Sequence, residues 1–252
     1  MIDWHCHLLP GVDDGSNSLD ESLAMGRLLA EAGFTEVYCT PHCLHGAYDN
    51  TPKGVQQATA ALQKAFHQHN IPLKLHPGME YYLDEMLLRN MDELQPLGTS
   101  RLILVEAAQQ AHPDMLKDAL FQFLRRKWIP VVAHPERCVL FDQPCSDTET
   151  SVASWLARFW PFRRTATVDV LPPATTLLQT LIDMGCQFQG NIPSFAGCYG
   201  PEVAEQAHAH LAAGLYGYFG SDGHDARSLK RNLARGLRMV TDAQTLSVNS
   251  EC

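Results

Sequence analysis

The sequence has no run of about 18 apolar residues, so no membrane-spanning helix is expected. It also lacks an initial basic segment followed by an apolar one, which is the pattern of a secretion signal, and we therefore expect a cytoplasmic protein. Positive charge is scarce, because 19 Lys and Arg residues stand against 28 Asp and Glu residues, a formal charge of −9. That negative balance argues against a protein that binds the phosphate backbone of nucleic acids, so no nucleic-acid partner is expected.

The cysteine pattern excludes several further classes of site. No two cysteines are separated by two residues, so neither a zinc knuckle nor a thioredoxin-type couple is predicted. No cysteine is followed six positions later by an arginine, which excludes the loop that cysteine-based phosphatases use. The eight cysteines are expected to be reduced thiols. The G-x-G-x-x-G fingerprint of dinucleotide-binding folds is absent as well.

The 252 residues are 45% hydrophobic and 19% charged, as in a globular protein, and strand-like and helix-like segments alternate along them. Short runs rich in Val, Ile, Leu and Tyr predict seven strands, over residues 1–4, 36–40, 73–76, 102–106, 129–133, 186–190 and 216–220. Segments with helical periodicity lie after them, over residues 19–32, 52–69, 84–90, 113–127, 174–184, 202–213 and 226–240.

This alternation predicts an α/β fold with a parallel sheet. Closure into a seven-stranded, TIM-like (β/α) barrel would leave no exposed sheet edge, and an open doubly wound sheet is the alternative. We expect a single domain over residues 1–252. An insertion is expected at about residues 141–173, because the segment between the fifth and sixth predicted strands is longer than a normal connection. Its aromatic residues are expected to be core or homo-oligomer contacts, and it could also cover the site.

Histidines and carboxylates concentrate at the ends of the predicted strands. They are His5, His7, Asp14, His42, Glu80, Glu106, His134, Asp222 and His224. In a parallel barrel these strand ends open onto one rim, where active sites of such folds are built. Asp13 is an alternative to Asp14, and the spacing does not separate the two.

A cluster of this composition predicts a metal centre. Clustered carboxylates repel one another and raise each other's pKa unless cations lie among them. Imidazole and carboxylate ligands without thiolate favour Mn, Fe or Zn, and nine ligands exceed the need of two ions. Other histidines are expected outside the centre: His76 in a structural role, and the helical His67, His69, His208 and His210 in solvent.

Several motifs together resemble the PHP (polymerase and histidinol phosphatase) superfamily, and within it the CpsB/YwqE-type tyrosine-protein phosphatases of capsular and exopolysaccharide synthesis. The motifs are H-C-H-L-L-P-G-V-D-D-G at 5–15, T-P-H at 40–42, G-M-E at 78–80, A-H-P-E-R at 133–137 and G-S-D-G-H at 220–224. The resemblance implies a distorted seven-stranded (β/α) barrel that binds up to three metal ions, usually manganese (Mn²⁺), with Fe, Zn or Mg as alternatives.

Carried onto this sequence, the resemblance implies three metal positions. The ligand sets are His5, His7, Glu80 and Asp222; Glu80, Glu106 and His134; and Asp14, His42 and His224. Arg137 and Arg227 match arginines that face the phosphate in the family. A guanidinium suits that role because it binds pairs of phosphate oxygens.

The implied activity is metal-assisted hydrolysis of phosphotyrosine in a protein, with a bacterial tyrosine kinase of polysaccharide synthesis as the expected substrate. Three alternatives stay open. A phosphatase for a small molecule such as histidinol phosphate would use the same fold. An amidohydrolase-type enzyme also begins with H-x-H, although it typically uses a lysine at a strand end, which is absent here. A non-catalytic metal-binding scaffold is the third.

Overall fold

The computed structural model describes residues 1–108, 111–142 and 176–249, with side chains up to 141 in the second range and 241 in the third. Apart from its first two positions, the insertion predicted at about 141–173 therefore lies outside the described residues. No helix in the described ranges is both long enough and apolar enough to cross a membrane.

Nine strands are present in the described ranges, and their ladders are all parallel. They are β1 (Ile2–Cys6), β2 (Glu36–Cys39), β3 (His42–Cys43), β4 (Lys74–Pro77), β5 (Glu80–Tyr82), β6 (Leu102–Glu106), β7 (Ile129–Ala133), β8 (Gln187–Asn191) and β9 (Tyr218–Gly220). The predicted bounds of β6 and β7 are confirmed, and those of the other predicted strands differ by one or two residues at one or both ends.

The helices follow the strands, as the alternation predicts. They are α1 (Leu19–Glu31), α2 (Pro52–Gln68), α3 (Glu85–Arg89), α4 (Pro113–Arg125), α5 (Leu177–Met184), α6 (Ile192–Phe195), α7 (Pro201–Ala212) and α8 (Ala226–Asn249). Two 3-10 turns, Pro135–Arg137 and Val139–Asp142, follow β7. The short α6 has no counterpart in the sequence prediction, because four residues carry too little periodicity to detect.

Local sequence explains where the long helices begin. The Ser18 hydroxyl accepts a hydrogen bond from the Glu21 N–H at the start of α1. The Thr51 hydroxyl accepts a hydrogen bond from the Gly54 N–H at the start of α2. Pro52 suits the first turn of this helix, because the N–H that proline lacks would have no partner within the helix there.

The strands form two curled sheets, one of three strands in the order β1-β2-β4 and one of six in the order β3-β5-β6-β7-β8-β9. The second and third predicted strands each continue, after a two-residue break, into a short strand of the larger sheet. The first break contains Pro41, which has no N–H for the ladder. The second contains Gly78, where a Cβ would lie 2.8 Å from the Leu97 side chain.

Strand β1 also contacts the segment after β9. The Asp222 N–H donates to the His5 carbonyl at 2.7 Å, and the His7 N–H donates to the Gly223 carbonyl at 3.0 Å. These bonds connect one edge of the smaller sheet to the last strand of the larger one, and they bring the first and last site segments together.

Candidate metal centre

The nine predicted ligands lie in the carboxyl-terminal parts of the parallel strands, in their short continuations, or in the loops that follow. His5 lies within β1 rather than after it, because the strand extends to Cys6, which pairs with Cys39 of β2. His42 and Glu80 are register partners in β3 and β5. The structure brings all nine into one contiguous cluster.

Glu80 is at the centre of this cluster and has no exposed surface. Its Oε2 lies 3.2 Å from His5 Nε2, 3.3 Å from His7 Nε2 and 3.0 Å from His42 Nδ1. Its Oε1 lies 3.2 Å from His134 Nε2. One carboxylate therefore faces four imidazoles from three different parts of the chain.

Asp222 forms a second point of convergence. Its Oδ1 lies 3.5 Å from His5 Nε2, 3.4 Å from His7 Nε2 and 3.7 Å from His224 Nδ1. Its backbone has φ +48°, a left-handed conformation that is unusual for a residue other than glycine, and His134 has φ +34°. Such conformations cluster at functional sites, where surrounding contacts maintain them.

Asp14, His42 and His224 form the outer part of the cluster. Asp14 Oδ1 lies 3.6 Å from His42 Nε2 and 3.6 Å from His224 Nε2. The Asp14 side chain is 51% exposed, whereas the Glu80 side chain is fully buried, so this part faces the opening.

The structure separates Asp13 from Asp14, which the sequence does not. The buried side chain of Asp13 accepts a hydrogen bond from His7 Nδ1 at 2.7 Å and one from the His42 N–H at 3.0 Å. These bonds turn His7 Nε2 towards Glu80 and Asp222. Asp13 therefore orients a candidate ligand, while Asp14 offers its own oxygen to the cluster.

The charges of the cluster raise the pKa of His5 and lower the pKa of Glu80. Burial acts to lower the pKa of His5, but Glu80 and Asp222 raise it to about 9. Burial acts to raise the pKa of Glu80, but the surrounding imidazoles hold it well below its usual range. Burial, followed by the charge of Glu80, raises the pKa of Glu106.

The residues present fit divalent metal ions. Glu80 Oε2 is buried and has no hydrogen-bond partner among the described residues, although three imidazole nitrogens point at it. Two donors on one tetrahedrally coordinated ion, each at about 2.1 Å, lie about 3.4 Å apart. Four overlapping groups have all their donor atoms within 4.8 Å of one another: His7, Asp14, His42 and His224; His5, His7 and Asp222; His5, Glu80 and His134; and His42, Glu80 and Glu106. An ion between such donors would bind the Oε2 atom of Glu80 and so satisfy it.

The two predicted phosphate-binding arginines have different surroundings. Arg137 Nη1 donates to Asp222 Oδ2 at 2.7 Å, and its guanidinium lies 4.5 Å from the ring centroid of Tyr199. Arg227 is exposed in the first turn of α8, beside Asp225. Within the described residues it makes no hydrogen bond or ion pair to the nine candidate ligands.

A layer of polar residues that the sequence analysis did not assign supports the ligands. Gln189 Oε1 lies 2.9 Å from His5 Nδ1. Asn191 donates from Nδ2 to Asp222 Oδ2 at 2.8 Å, and its own N–H donates to Glu136 Oε1 at 3.0 Å. Glu136 Oε2 in turn accepts from the Tyr216 hydroxyl at 2.9 Å. The alternation of Gln189 and Asn191 along β8 was the available signal, since it places both on one face.

Asp3 also belongs to this supporting layer and is fully buried. Its Oδ1 accepts from the N–H groups of His5 and Ser221, at 3.2 and 2.8 Å. Desolvation raises the pKa of Asp3 to about 6, against the effect of these hydrogen bonds. Asp3 thus ties β1 to the segment that carries Asp222.

Of the other histidines, His76 has the structural role expected of it. Its Nε2 lies 2.6 Å from Glu36 Oε2, and its ring stacks on Tyr38. The expectation for His210 was wrong, because its side chain is buried and contacts Gln206 and Tyr216. Helix α7 packs against α6, α8 and the 3-10 turn Pro135–Arg137, and this burial overrides the polar character of the residue.

Comparison with known proteins agrees with this geometry. A sequence model of the family described as "Capsular polysaccharide synthesis, CpsB/CapC" matches residues 1–150. The tyrosine-protein phosphatase YwqE of Bacillus subtilis is 26% identical over 231 residues, which cover 90% of this chain and 79% of that protein.

Solved structures show the same fold. One comes from a crystallographic study of YwqE from Bacillus subtilis and CpsB from Streptococcus pneumoniae, described as metal-dependent tyrosine phosphatases. It aligns with a TM-score of 0.70 and 24% identity over 99% of this chain and 95% of that chain. Histidinol phosphate phosphatase from Lactococcus lactis, in complex with zinc, L-histidinol and phosphate, aligns with a TM-score of 0.52 and 14% identity over 96% and 93% of the two chains.

Proposed function

Because the chain belongs to the CpsB/CapC family of capsular polysaccharide synthesis, we propose that it is a metal-dependent phosphatase that hydrolyses phosphotyrosine in proteins. The observation that carries the proposal is the buried carboxylate of Glu80, whose Oε2 faces the nitrogens of three histidines and has no hydrogen-bond partner in the described part of the chain. Such an arrangement is electrostatically reasonable around bound cations, and metal-assisted phosphate hydrolysis is the chemistry that these ligands suit.

Three ligand sets are proposed. His5, His7, Glu80 and Asp222 would hold one ion, and Glu80 would bridge it to a second, held with Glu106 and His134. Asp14, His42 and His224 would hold the third. The donor groups support the choice of ligands, because every one of the nine residues belongs to at least one group, and Asp14, His42 and His224 share one of them. Mn²⁺ is the proposed metal, and Fe, Zn or Mg would suit the same imidazole and carboxylate ligands.

When bound, divalent ions would supply Lewis acidity, which activates water near neutral pH and neutralises charge on a phosphoryl group. The protein's own part is orientation. Asp13 and Gln189 hold one ring nitrogen each of His7 and His5, so that the other nitrogen faces the cluster. Asn191 and Arg137 hold one oxygen of Asp222, so that the other faces the histidines.

Arg137 is proposed to bind the phosphate. One of its five N–H donors is used on Asp222, and the others can bind phosphate oxygens as negative charge develops on them. Arg227 is proposed as a second, outer contact at the start of α8. No covalent phosphoenzyme is proposed, which is consistent with the absence of a cysteine–arginine phosphatase loop from the sequence.

The finer architecture is part of the same proposal. We propose that the broken strands β2–β3 and β4–β5 each count as one, which gives seven strands closed between β1 and β9 in a distorted (β/α) barrel. The bonds from Asp222 and His7 across that junction support closure. Residues 1–252 would form a single domain, with the segment at about 141–173 as an insertion.

The proposed substrate is a phosphorylated tyrosine kinase that acts in capsular or exopolysaccharide synthesis, and the proposed location is the cytoplasm. The family's description supports the role in capsular polysaccharide synthesis, and the name of the relative YwqE supports action on phosphotyrosine in a protein.

The test combines elemental analysis of the purified protein with two substrates. With Mn²⁺ added, we expect release of phosphate from a phosphotyrosine peptide at a kcat/KM at least about tenfold above that for histidinol phosphate. The reverse preference would indicate a small-molecule phosphatase. Full metal occupancy with no phosphate release from either ester would indicate a scaffold.

A further inference from the structure

Tyr199 lies on a tight turn beside the metal centre. The turn joins α6 to α7, and the Gly200 N–H donates to the Gly197 carbonyl at 3.2 Å. Gly197 and Gly200 have φ of +76° and +102°, conformations that other residues rarely adopt. The backbone therefore holds Tyr199 in a fixed place after β8, at the same end of the sheet as the candidate ligands.

Part of the Tyr199 side chain contacts other residues, and part of it is exposed to solvent. One region of its ring lies over the Arg137 guanidinium, and its hydroxyl lies 3.4 Å from Asn191 Nδ2. The residue is nevertheless 41% exposed, which is high for a large aromatic residue next to a buried polar cluster. Core packing does not account for this exposed ring surface.

The position of Arg137 relates this surface to the substrate. This step rests on the proposed function, in which Arg137 binds the phosphate. A group esterified to that phosphate is joined to the phosphorus through a single oxygen. It must therefore lie within a few ångströms of Arg137 and of the Tyr199 ring that covers the guanidinium. An aromatic leaving group would then meet the exposed part of the Tyr199 ring.

We propose that Tyr199 contacts the aromatic ring of the substrate and thereby favours aryl over alkyl phosphomonoesters. Stacked or edge-to-face pairs of rings add to the binding energy beyond their buried area. The contact requires only a planar ring on the substrate, so it would select the phosphotyrosine side chain without reading the surrounding peptide sequence.

Two phosphonates that cannot be hydrolysed separate ring recognition from phosphate binding. Phenylphosphonate carries a ring and methylphosphonate does not, while both present the same charged group. Their Kd values would be measured by calorimetry on the Mn²⁺-loaded wild type, on Tyr199→Ala and on Tyr199→Phe. We expect Tyr199→Ala to weaken phenylphosphonate about 2- to 10-fold more than methylphosphonate, and Tyr199→Phe to keep the wild-type ratio.

Phe121 supplies the matched control, because it is an exposed aromatic residue on α4. Phe121→Ala should leave both Kd values unchanged. Equal weakening of both phosphonates in Tyr199→Ala would show that the ring only covers Arg137, and it would overturn the proposal. If the wild type hydrolyses phosphotyrosine but binds both phosphonates with no preference, the proposed function stands and the role of Tyr199 fails. If the wild type hydrolyses phosphotyrosine but binds neither phosphonate, only the role of Tyr199 fails, and if it neither hydrolyses phosphotyrosine nor binds either phosphonate, both fail.

Discussion

At the scale of single residues, the centre depends on which atom of each side chain is left for a ligand. Asp13 takes Nδ1 of His7, and Gln189 takes Nδ1 of His5, so both Nε2 atoms lie within 3.1 Å of each other in the cluster. The identity of the ligands therefore does not define the centre by itself. The hydrogen bonds that the ligands make to neighbouring residues determine where their lone pairs point.

Replacing His134 with alanine should remove activity and one metal while the protein stays folded. The His134 side chain places one ring nitrogen beside Glu80, and the residue directly follows β7. Its loss therefore removes a metal ligand without opening the hydrophobic core. We expect kcat/KM for a phosphotyrosine peptide to fall at least about 100-fold, with elemental analysis showing about one ion fewer. His76→Ala is the control, because that histidine pairs with Glu36 outside the cluster. Retained turnover in His134→Ala would refute the ligand assignment.

The two neighbouring aspartates should behave differently. Asp14→Ala removes a donor oxygen from the outer group, and we expect one fewer bound ion per chain. Asp13→Asn changes the partner of His7 but removes no ligand, so the full number of ions should bind, with affinity about 10- to 100-fold weaker. Metal titration followed by calorimetry measures both quantities. A lost ion in Asp13→Asn with full occupancy in Asp14→Ala would reverse the assignment.

At the scale of elements, the close packing of two helices depends on one glycine. Helices α1 and α2 approach at Gly26, where an added Cβ would lie 2.4 Å from the ring of Phe66. Phe66 is itself fully buried, so its ring has no free space into which it could move. Here the absent side chain permits the contact between the helices.

Gly26→Ala should therefore destabilise the protein, although alanine is the better helix former. The overpacking should cost about 1–3 kcal/mol and lower the Tm in thermal unfolding. Gly54→Ala is the matched control on α2, since a Cβ there meets only the Thr51 hydroxyl, at 3.1 Å. That variant should be neutral or slightly stabilised. A Gly26→Ala protein with unchanged Tm would show that the helices can separate without cost.

At the scale of the whole molecule, the cluster joins segments that are more than 200 residues apart in sequence, such as His7 and Asp222. Without cations, carboxylates and partly protonated imidazoles must share a buried space. Ions that bind the folded chain, and not the unfolded one, would stabilise the entire fold rather than one loop.

Metal removal should consequently lower the global stability. At a free metal concentration of about 100 times Kd, one site contributes about 2.7 kcal/mol. We expect the Tm to fall after treatment with a chelator and to return when Mn²⁺ is added, whereas Ca²⁺, which prefers oxygen ligands, should restore less. Differential scanning calorimetry measures the change. An identical Tm with and without metal would contradict a centre formed by these nine residues.

The sequence by itself determined the α/β class, the order of strands and helices, and eight of the nine residues that converge. These follow from local information, namely the period of apolar residues, capping residues such as Ser18, and ligand-type side chains at strand ends. It did not determine the two strand breaks, the burial of His210, or which of Asp13 and Asp14 faces the cluster. Only the tertiary structure decided these, because each depends on contacts with residues distant in the chain. The same holds for the supporting residues Asp3, Gln189, Asn191 and Tyr199, whose side chains are ordinary in sequence and acquire a role from what lies next to them.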